Sequence, residues 1–482
     1  MDDYHFLCAG KTAAELNGFF TTEEDSRKLD LFPISESLRY RIPFAPADET
    51  VAYLESLADL HPSHARTASI YFDDIEKFGI WPETYQWVYE KGWLEQFIQK
   101  VLASPKIRTQ HYSEYHASEK TRGIVYLPTV SYIEMNEWSL PAPSANAYSD
   151  LIQQAKEQGW FEHKKAHLRG GIWKNFFTRY PESNWMHKRM LSLSARLAAL
   201  PQSLHKPLML QKLYESQAND AYWHGLFGGL YLPHLRRAVY HALVELEAML
   251  DACSSRPPYF TEDTDLDGIE ETYCQNGLLQ TVVKRDPYAS ICELDAYALG
   301  HNFGDTLRNQ TEHYYRKIQS GGEDSSAHSG DGIASAHDRV SYKHDISAAD
   351  IVADDHPRSL FVDRLDGLFV HYRNLEPVLE NQHYESSNTA HPIRKYITLH
   401  DHTLQVMYRF DVKMQSLFCT EINLAMPSCD GMGGRYIHQG HVPCGFGQCL
   451  QLKDLIEITL EDDTLGGSIV LKTSASVSFQ AQ

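Results

Sequence analysis

The stretch "SIYFDDIEKFGIWP", residues 69–82, decides how the N-terminal part of the chain is interpreted. Residues 69–72 favour a strand, and they run directly into the adjacent carboxylates of Asp73 and Asp74, with Glu76 close behind. Neighbouring carboxylates repel one another, so crowding them where a strand ends brings a fold no advantage. The arrangement therefore raises a functional role for at least one of them as a hypothesis.

A βα unit is predicted around these carboxylates. Residues 47–60 predict a helix because their leucines and Val51 recur at a spacing of three, and Pro82 can begin a second helix at its first position. Ligands bind at the carboxyl ends of strands in such units. If the strand persists, Asp73 and Asp74 point to opposite faces, so only one enters the cleft. A purely structural alternative is that they cap the following helix.

Beyond this unit the chain first becomes helical and then rich in strands. Residues 122–128 predict a further strand, and apolar periodicity predicts helices over 145–157, 183–200, 206–217 and 233–252. The pair Pro257-Pro258 marks a boundary, after which short apolar runs alternate with polar turns, as in an antiparallel β-sandwich. The Gly/Ser/Asp/His-rich segment 320–338 predicts a mobile loop.

Composition excludes several classes of protein. The 482 residues suffice for two or three domains, and the net charge of −20 argues against a nucleic-acid binder. The chain has no run of 18 or more apolar residues, so no membrane span is predicted. Its N-terminus has no signal-peptide pattern. The 8 cysteines match no disulfide or zinc framework, so we expect free thiols in a cytoplasmic protein.

A second polar and aromatic cluster lies in "QANDAYWHGLFGGLYLPHLRRA", residues 217–238. Asp220 can hydrogen-bond vicinal hydroxyls, Trp223 can stack on the apolar face of a sugar, and His224 adjoins them. The glycines that follow allow a sharp turn and a close approach of the backbone to a ligand. The structural alternative is a glycine-rich turn between helices, with Asp220 as a cap.

Two other stretches are interpreted as structural. Residues 169–191 interleave aromatic and basic side chains, a pattern that we expect to pack helices together. The His-Asp-His triplet at 400–402 could bind a metal, but no third ligand is identifiable, and a solvated strand is the preferred interpretation. We therefore expect no metal site and no cofactor.

Taken together, these motifs resemble glycoside hydrolase family 57 in its 4-α-glucanotransferase and α-amylase branch. The resemblance is dense over residues 1–240, where the motifs also occur in the same order, and looser in the predicted sandwich. The stretches that carry it are "DDYHF" (2–6), "TTEED" (21–25), "LFPISESLRYRIPF" (31–44), "FDDIEKFGIWPETYQWVYEKGWL" (72–94), "SYIEMNEWSLP" (131–141), "GGIWKNFFTRYPESNWMHKRML" (170–191), the 217–238 stretch, "TDLDGIEE" (264–271) and "GIASAHD" (332–338).

The resemblance implies a multidomain fold that combines α/β and all-β parts. Residues 1–150 would form the C-terminal part of an incomplete (β/α)7 catalytic barrel, residues 151–253 a helical central domain, and residues 257–482 a β-sandwich. It implies an α-glucan or maltooligosaccharide as the ligand, and the composition predicts neither a nucleic acid nor a membrane as a partner.

The resemblance also implies roles for individual residues. The family retains anomeric configuration with two carboxylates, and its acid/base corresponds to Asp74 here. Glu76 lies in the same motif, and Trp81 would be a sugar platform. The motif at 217–238 implies that Asp220, Trp223 and His224 line the substrate cleft.

Two departures from the family pattern carry further expectations. The nucleophilic glutamate that the family places before the motif matching "DDYHF" is not among these residues, so we expect the chain to be inactive alone, as a fragment or as one half of a split enzyme with a separate N-terminal half chain. Ile75 stands where the family usually has glycine, and a backbone that required positive φ there would be displaced.

Two alternatives stay open. The first is a non-catalytic protein that binds α-glucan or regulates its use. The second is an active enzyme with a replacement nucleophile, for which Glu134 or Glu137 is the candidate. Retention requires carboxylates about 5–5.5 Å apart, which the sequence cannot establish for either of them.

Overall fold

The computed structural model describes residues 1–59, 66–225, 227–316, 346–347, 350–374, 382–386, 392–410, 415–429 and 433–481. The chain mixes helices and antiparallel sheets and divides into two compact units. Unit 1 comprises Met1–Arg179 and Gln310–Val352, and unit 2 comprises Tyr180–Asn309 and Ala353–Gln482. The division into three domains at 150 and 257 stays a prediction, and the segment 320–338 lies outside the described residues.

Unit 1 is mainly helical. Its helices are α1 (Asp3–Cys8), α2 (Glu36–Arg41), α3 (Ala47–Asp59), α4 (Trp93–Ala103), α5 (Tyr112–Ser118), α6 (Met135–Trp138), α7 (Ala142–Glu157), α8 (Phe161–Lys164) and α9 (Asn175–Arg179). Its strands β1 (Phe20–Glu24) and β2 (Arg27–Leu31) form an antiparallel hairpin. Isolated parallel bridges join Asp2 to Ile34 and Thr21 to Ile124.

The core of unit 1 that lies under the acidic stretch is built by three helices. Leu38 and Ile42 from the region of α2, Ala47 from α3 and Trp93 from α4 are buried together, and Phe78 packs against them. The indole nitrogen of Trp93 donates to the backbone carbonyl of Ala45 at 2.7 Å. The helix predicted over 47–60 is thereby confirmed as α3, which ends at Asp59.

The acidic stretch itself differs from the sequence prediction. Residues 69–72 form no strand: within the described part of the chain, the one backbone hydrogen bond that reaches them from elsewhere joins the Ser35 N–H to the Ile70 carbonyl. A strand needs a continuous ladder of such bonds, which this segment lacks. The predicted strand at 122–128 is likewise reduced to the bridge at Ile124.

The helix predicted to begin at Pro82 is wrong in its extent. A π-helical turn at Gln86–Glu90 and the helix α4 are separated by Gly92, which adopts a left-handed conformation with a φ of 72°. Trp87 before this break and Trp93 and Phe97 after it pack in one core.

Unit 2 begins with the long helices that the sequence predicted. They are α10 (Pro181–Ala199), α11 (Pro207–Glu215) and α12 (Pro233–Cys253). Each has proline in its first turn, where the missing N–H has no intrahelical acceptor in any case. Three of the four predicted helices are therefore confirmed here, and the fourth, at 145–157, is confirmed as α7 of unit 1.

The strands of unit 2 form three antiparallel sheets. The order is β14-β8-β6-β5-β4-β3 in the largest sheet, with β7 on β6 and β9 on β8, and β10-β11-β12-β13 and β15-β16-β17 in the others. The strands are β3 (Tyr259–Glu262), β4 (Glu271–Gln275), β5 (Leu279–Lys284), β6 (Ile291–Ala296), β7 (His301–Asn302), β8 (Leu360–Leu365), β9 (Leu368–Phe369), β10 (Tyr372–Asn374), β11 (Gln382–Ser386), β12 (Ile393–His400), β13 (Thr403–Phe410), β14 (Phe418–Ile422), β15 (Gly434–Ile437), β16 (Leu450–Asp462) and β17 (Gly467–Ala481).

Two of these sheets share an apolar core. Val283 and Leu360 from the largest sheet are buried against Tyr384, Ile393 and Ile397 from the four-stranded sheet. Alternation along β12 explains this placement, because its inward residues are buried and its outward residues are not. The predicted antiparallel strands after residue 258 are confirmed.

A buried charge network fastens α10 and α12 to the largest sheet. The guanidinium of Arg189 on α10 contacts the carboxylates of Glu247 on α12 and Glu293 on β6, the latter at 2.9 Å. Burial alone would raise the pKa of Glu247, but Arg189, Arg256 and Arg196 lower it to about 2. A charge in such a place is stabilising only while its partners are present.

The substitution Arg189→Met tests this network. Among the described residues, Arg189 is the one cation that forms an ion pair with Glu293, so the substitution leaves this buried carboxylate unpaired. We therefore expect the free energy of unfolding to fall by roughly 3–5 kcal/mol. Urea unfolding of the full chain measures the change. Lys472→Met, which removes an exposed ion pair with Glu457, is the matched control and should have little effect. Equal stability of the two variants would contradict the assignment.

Candidate active site

A short turn presents Asp74 at the surface of unit 1. Residues Ile75–Phe78 form a single 3₁₀ turn, and Asp74 precedes it in an extended conformation. Gly79 ends the turn with a φ of 133°, a conformation that L side chains rarely adopt, and a Cβ there would meet the ring of Tyr89 at 3.2 Å. The turn thus sets the backbone conformation directly after the two adjacent aspartates.

Two cations hold the carboxylate of Asp73 in the protein interior. Its carboxylate is in contact with the ammonium of Lys77 and lies 3.6 Å from the guanidinium of Arg39. The side chains of Asp73 and Lys77 are 2% and 6% exposed, so the pair is buried. Lys77 also donates to the backbone carbonyl of Arg39 at 2.9 Å, which ties the turn to α2.

Asp74 is an exposed residue whose carboxyl group is nevertheless perturbed. Partial burial of the carboxyl raises its pKa above the ordinary value of 3.8, and the neighbouring charges of Asp73 and Glu76 act in the same direction. Lys77 and Arg39 oppose them without cancelling the shift. A carboxyl group that is accessible and holds its proton more strongly than usual is suited to donate that proton to a ligand.

Ile75 does not distort this turn. It is not among the described non-glycine residues with positive φ, and its side chain is 80% exposed. The position lies in the 3₁₀ turn, whose φ values suit a β-branched residue. Ile75 therefore has no positive φ here, and a displacement of the loop relative to the family stays a prediction.

Glu76 and Trp81 complete the sequence-predicted residues of unit 1. Glu76 is exposed on the same turn. Trp81 stacks on Phe44 with the ring centroids 5.9 Å apart, and the ammonium of Lys77 lies 5.4 Å from the Trp81 ring. Asp74, Glu76 and Trp81 thus belong to one contiguous stretch that is held by Lys77.

The sequence analysis missed a set of charged residues next to this turn. Arg39 forms an ion pair with Asp2 at 3.0 Å, and Lys165 forms one with Glu36 at 2.6 Å. Asp3 accepts a hydrogen bond from the Glu36 N–H, while its other carboxyl oxygen has no hydrogen-bond partner among the described residues. The motifs "DDYHF" and "SESLRYR" contain all of these positions except Lys165, and neither shows by itself that they converge.

The carboxyl groups in this set are strongly perturbed. Burial, followed by the charge of Asp2, raises the pKa of Asp3 to about 7. Burial also raises the pKa of Glu134 to about 7, against the opposing charge of Arg39, and the Tyr40 hydroxyl donates a hydrogen bond to Glu134. Of the two proposed replacement nucleophiles, Glu137 instead lies 3.3 Å from His313.

The sequence-predicted residues of unit 2 occupy a second turn. Asp220 is exposed in the 3₁₀ turn Asn219–Tyr222, and the indole nitrogen of Trp223 donates to Asn219 at 2.8 Å. His224 is buried, and its Nε2 atom is 2.8 Å from the hydroxyl of Tyr180. His224 therefore contacts its own unit, whereas Asp220 is accessible.

The glycines after His224 serve the packing of this turn. A Cβ on Gly229 would collide with the backbone carbonyl of Trp223, and the φ of Gly229 is 46°. The close approach that the glycines permit is thus one between two segments of the same unit. Asp220 lies in unit 2 and Asp74 in unit 1, and a cleft common to both stays a prediction.

The other stretches behave as expected of structural elements. Residues 400–402 form the end of β12 and the turn into β13, where His400 pairs with Thr403. Residues 181–191 of the aromatic and basic stretch form the first part of α10.

Three family models match successive parts of the chain. Glycosyl hydrolase family 57 matches residues 1–128, and the alpha-amylase/4-alpha-glucanotransferase middle domain matches residues 171–250. The alpha-amylase/4-alpha-glucanotransferase C-terminal domain matches residues 263–391 and 374–481.

Relatives and a solved structure agree with these matches. The chain is 43% identical over 338 residues to an alpha-amylase of Pyrococcus abyssi and to a 4-alpha-glucanotransferase of Thermococcus litoralis, which covers 70% of this chain and 49% of each relative. The crystal structure of the 4-alpha-glucanotransferase from Thermococcus litoralis matches with a TM-score of 0.76 and 32% identity, over 100% of this chain and 75% of that one. The chain thus spans about half the length of the curated relatives it matches.

A membrane span was not predicted, and the helices agree with this. None of the helices in the described ranges is long and apolar enough to cross a bilayer. The cytoplasmic location stays a prediction.

The raised pKa of Glu134 predicts a pH dependence of stability. Folding raises this pKa from 4.5 to about 7, so the folded state holds the proton more strongly than the unfolded state. This proton binding stabilises the folded state fully below the pKa of the unfolded state, 4.5, and the stabilisation is lost as the pH rises through about 7. The change in the free energy of unfolding is at most about 3 kcal/mol. Glu134→Gln should flatten this part of the stability profile, as measured by urea unfolding between pH 4.5 and about 7.5.

Glu90→Gln is the matched control, because Glu90 is exposed and the same charge is removed. Its profile should follow that of the unsubstituted chain. A Glu134→Gln profile as steep as the control would show that Glu134 titrates at an ordinary pH.

Proposed function

The chain belongs to glycoside hydrolase family 57, and on that premise we propose that it acts on α-1,4-glucans with Asp74 as the acid/base of a retaining site. The observation that carries the proposal is the difference in environment between Asp73 and Asp74. Asp73 is bound by Lys77 and Arg39, whereas Asp74 is exposed and has a raised pKa. One aspartate is structural and the other is free to exchange a proton with a substrate.

The proposed role of Asp74 is proton transfer at the glycosidic oxygen. When a nucleophilic carboxylate attacks the anomeric carbon, the carbon–oxygen bond breaks, and the Asp74 carboxyl gives its proton to the departing oxygen. The ionised Asp74 then takes a proton from water or from an acceptor hydroxyl as either one attacks the glycosyl intermediate. Hydrolysis and glycosyl transfer use the same two steps and differ in the acceptor.

We propose that the nucleophile is none of the carboxylates around Asp74. Asp73 is buried in its ion pairs, and Glu76 is on the same short turn as Asp74. Glu134 has a pKa of about 7, so close to neutral pH much of it is protonated and not nucleophilic. A separate polypeptide segment, such as an N-terminal half chain, would supply this carboxylate, and the 482 residues alone would be inactive.

The remaining parts of the proposal concern substrate binding and architecture. Trp81, stacked on Phe44, is proposed as a sugar platform, and Glu76 as a binding residue beside Asp74. Asp220 and Trp223 are proposed to bind hydroxyls and sugar faces, and His224, held by Tyr180, to line the cleft with them. The barrel, the helical central domain and the sandwich described by the family resemblance are part of the same proposal.

An external nucleophile tests the proposal directly. Incubated with maltoheptaose, the chain should give no product in buffer, because no glycosyl intermediate forms. Azide can occupy the place of the missing carboxylate and attack the anomeric carbon, while Asp74 protonates the departing oxygen. We expect β-maltooligosyl azides by chromatography, and a loss of about 10²–10⁴-fold in their formation for Asp74→Asn.

Asp25→Asn is the matched control, since Asp25 is exposed in the β1–β2 turn and carries the same charge. Product in buffer alone that Asp74→Asn abolishes would show that the chain has its own nucleophile, and Glu134→Gln would then be the next variant. Azide products unaffected by Asp74→Asn would refute the acid/base assignment. Binding of maltoheptaose with no product under either condition would favour the non-catalytic glucan-binding alternative.

A further inference from the structure

A second group of carboxylates lies in unit 2, in the loop before β4. Asp263, Asp265 and Asp267 alternate along this loop and are followed by Gly268, and each offers a carboxylate oxygen that lies within 4.8 Å of the others. Asp265 is buried, Asp263 is half-buried and Asp267 is exposed. We call these three residues the acidic loop.

A fourth carboxylate faces the acidic loop from β4. Glu271 is fully buried, and one of its oxygens accepts a hydrogen bond from the Thr264 N–H at 3.0 Å. Its other oxygen, Oε1, has no hydrogen-bond partner among the described residues. A buried carboxylate oxygen without a partner is costly, and it requires either a ligand or a water in its place.

Glu271 Oε1 lies near the ammonium of Lys284 on β5, which also contacts the acidic loop. The Lys284 ammonium lies 2.5 Å from Asp265 Oδ2, 3.7 Å from Asp267 Oδ2 and 3.8 Å from Glu271 Oε1. Glu271 Oε1 therefore points at the same space as the side chains of the acidic loop. The distance of 3.8 Å is too long for a hydrogen bond, so Lys284 does not satisfy this oxygen.

The charges in this space do not balance. In the described part of the chain, Lys284 is the one cation that forms an ion pair with these four carboxylates, and the adjacent Glu270 is occupied by Arg285 at 2.6 Å. The three aspartates of the acidic loop and one ammonium leave an excess of negative charge in a partly buried place. A divalent cation would remove most of this excess.

We propose that the acidic loop and Glu271 form a binding site for a calcium-like divalent cation. Every side chain offered is a carboxylate, and hard cations such as Ca²⁺ prefer oxygen ligands. The sequence spacing Asp-x-Asp-x-Asp-Gly supplies acidic ligands at the first, third and fifth positions and the turn glycine at the sixth, as calcium loops do. This site revises the expectation that the chain binds no metal.

The spacing also predicts which cation binds and how tightly. The carbonyl of Ile269 stands at the seventh position and Glu271 at the ninth, both of which are ligand positions in calcium loops. Cys274 stands at the twelfth, where such loops have a bidentate glutamate, so binding should be weaker than in those loops. Mg²⁺ demands a stricter octahedral geometry and should bind less well than Ca²⁺.

Binding at this site would join two elements of unit 2. The backbone carbonyl of Asp265 accepts a hydrogen bond from the side chain of Asn184 on α10 at 2.7 Å. The acidic loop itself leads directly into β4, which is an inner strand of the largest sheet. A bound cation would thus fasten α10 to that sheet at β4 and raise the unfolding temperature of unit 2.

Calorimetric titration of the full, chelator-treated chain with CaCl₂ tests the proposal. We expect one Ca²⁺ per chain and a loss of at least about tenfold in affinity for Asp267→Asn, a substitution of an exposed ligand that should leave the fold intact. Asp401→Asn, at an exposed turn of unit 2, removes the same charge and should bind as the unsubstituted chain does. Lys284→Met removes a competing positive charge and should tighten binding.

A second measurement needs no variant. Lys284 lies 5.8 Å from the ring of Trp185, so a Tb³⁺ ion bound at the acidic loop should be sensitised by tryptophan excitation and displaced by Ca²⁺. Emission that Ca²⁺ abolishes would support the site even if Asp267→Asn failed to fold. Absence of both binding heat and sensitised emission at about 10 mM metal would overturn the proposal, as would Ca²⁺ binding that Asp267→Asn leaves unchanged.

Discussion

The ion pair between Asp73 and Lys77 is the interaction on which the candidate site depends. Both side chains are buried, so each charge would be costly without the other. Burial lowers the pKa of Lys77 in spite of Asp73, which shows how strongly this place disfavours an isolated ammonium. By holding Asp73 inward, the pair orients the short turn so that Asp74 faces outward. Lys77 also donates to the Arg39 carbonyl of α2 and lies over the ring of Trp81. The same side chain therefore contacts α2, Asp73 and Trp81.

Several carboxylates of this chain are buried in clusters, and the clusters differ in how many cations they contain. Arg39 and Lys77 form ion pairs with Asp73, and three arginines form ion pairs with Glu247. Lys395 is fully buried against Asp363 on β8. Among the described residues, Lys284 is the single cation that forms ion pairs with the cluster at Asp265 and Glu271. This difference in charge balance, and not the number of acidic residues, distinguishes a place for an added cation from a self-contained network.

Local features of the fold could be predicted from the sequence, and contacts between distant segments could not. The prolines at 181, 207 and 233 and the apolar periodicity after them specify helices by short-range chemistry. The strand predicted at 69–72 depended on partners elsewhere in the chain, and those partners reach it at one residue. Asp3, Glu36 and Glu134 belong to different segments, so neither their convergence nor the pKa values near 7 of Asp3 and Glu134 had a signal in local spacing. The backbone at Ile75 likewise had no signal in the sequence, and the structure gives it no positive φ.

The central claim is that the turn splits two adjacent aspartates into a structural residue and a proton donor. Titration of the Asp74 carboxyl by NMR, assigned by comparison with Asp74→Asn, tests this claim most directly. We predict a pKa above the ordinary value of 3.8, which Asp73→Asn lowers more than Glu76→Gln does because the charge of Asp73 acts on Asp74 more strongly than that of Glu76. An ordinary pKa for Asp74, or a larger effect of Glu76→Gln than of Asp73→Asn, would contradict it.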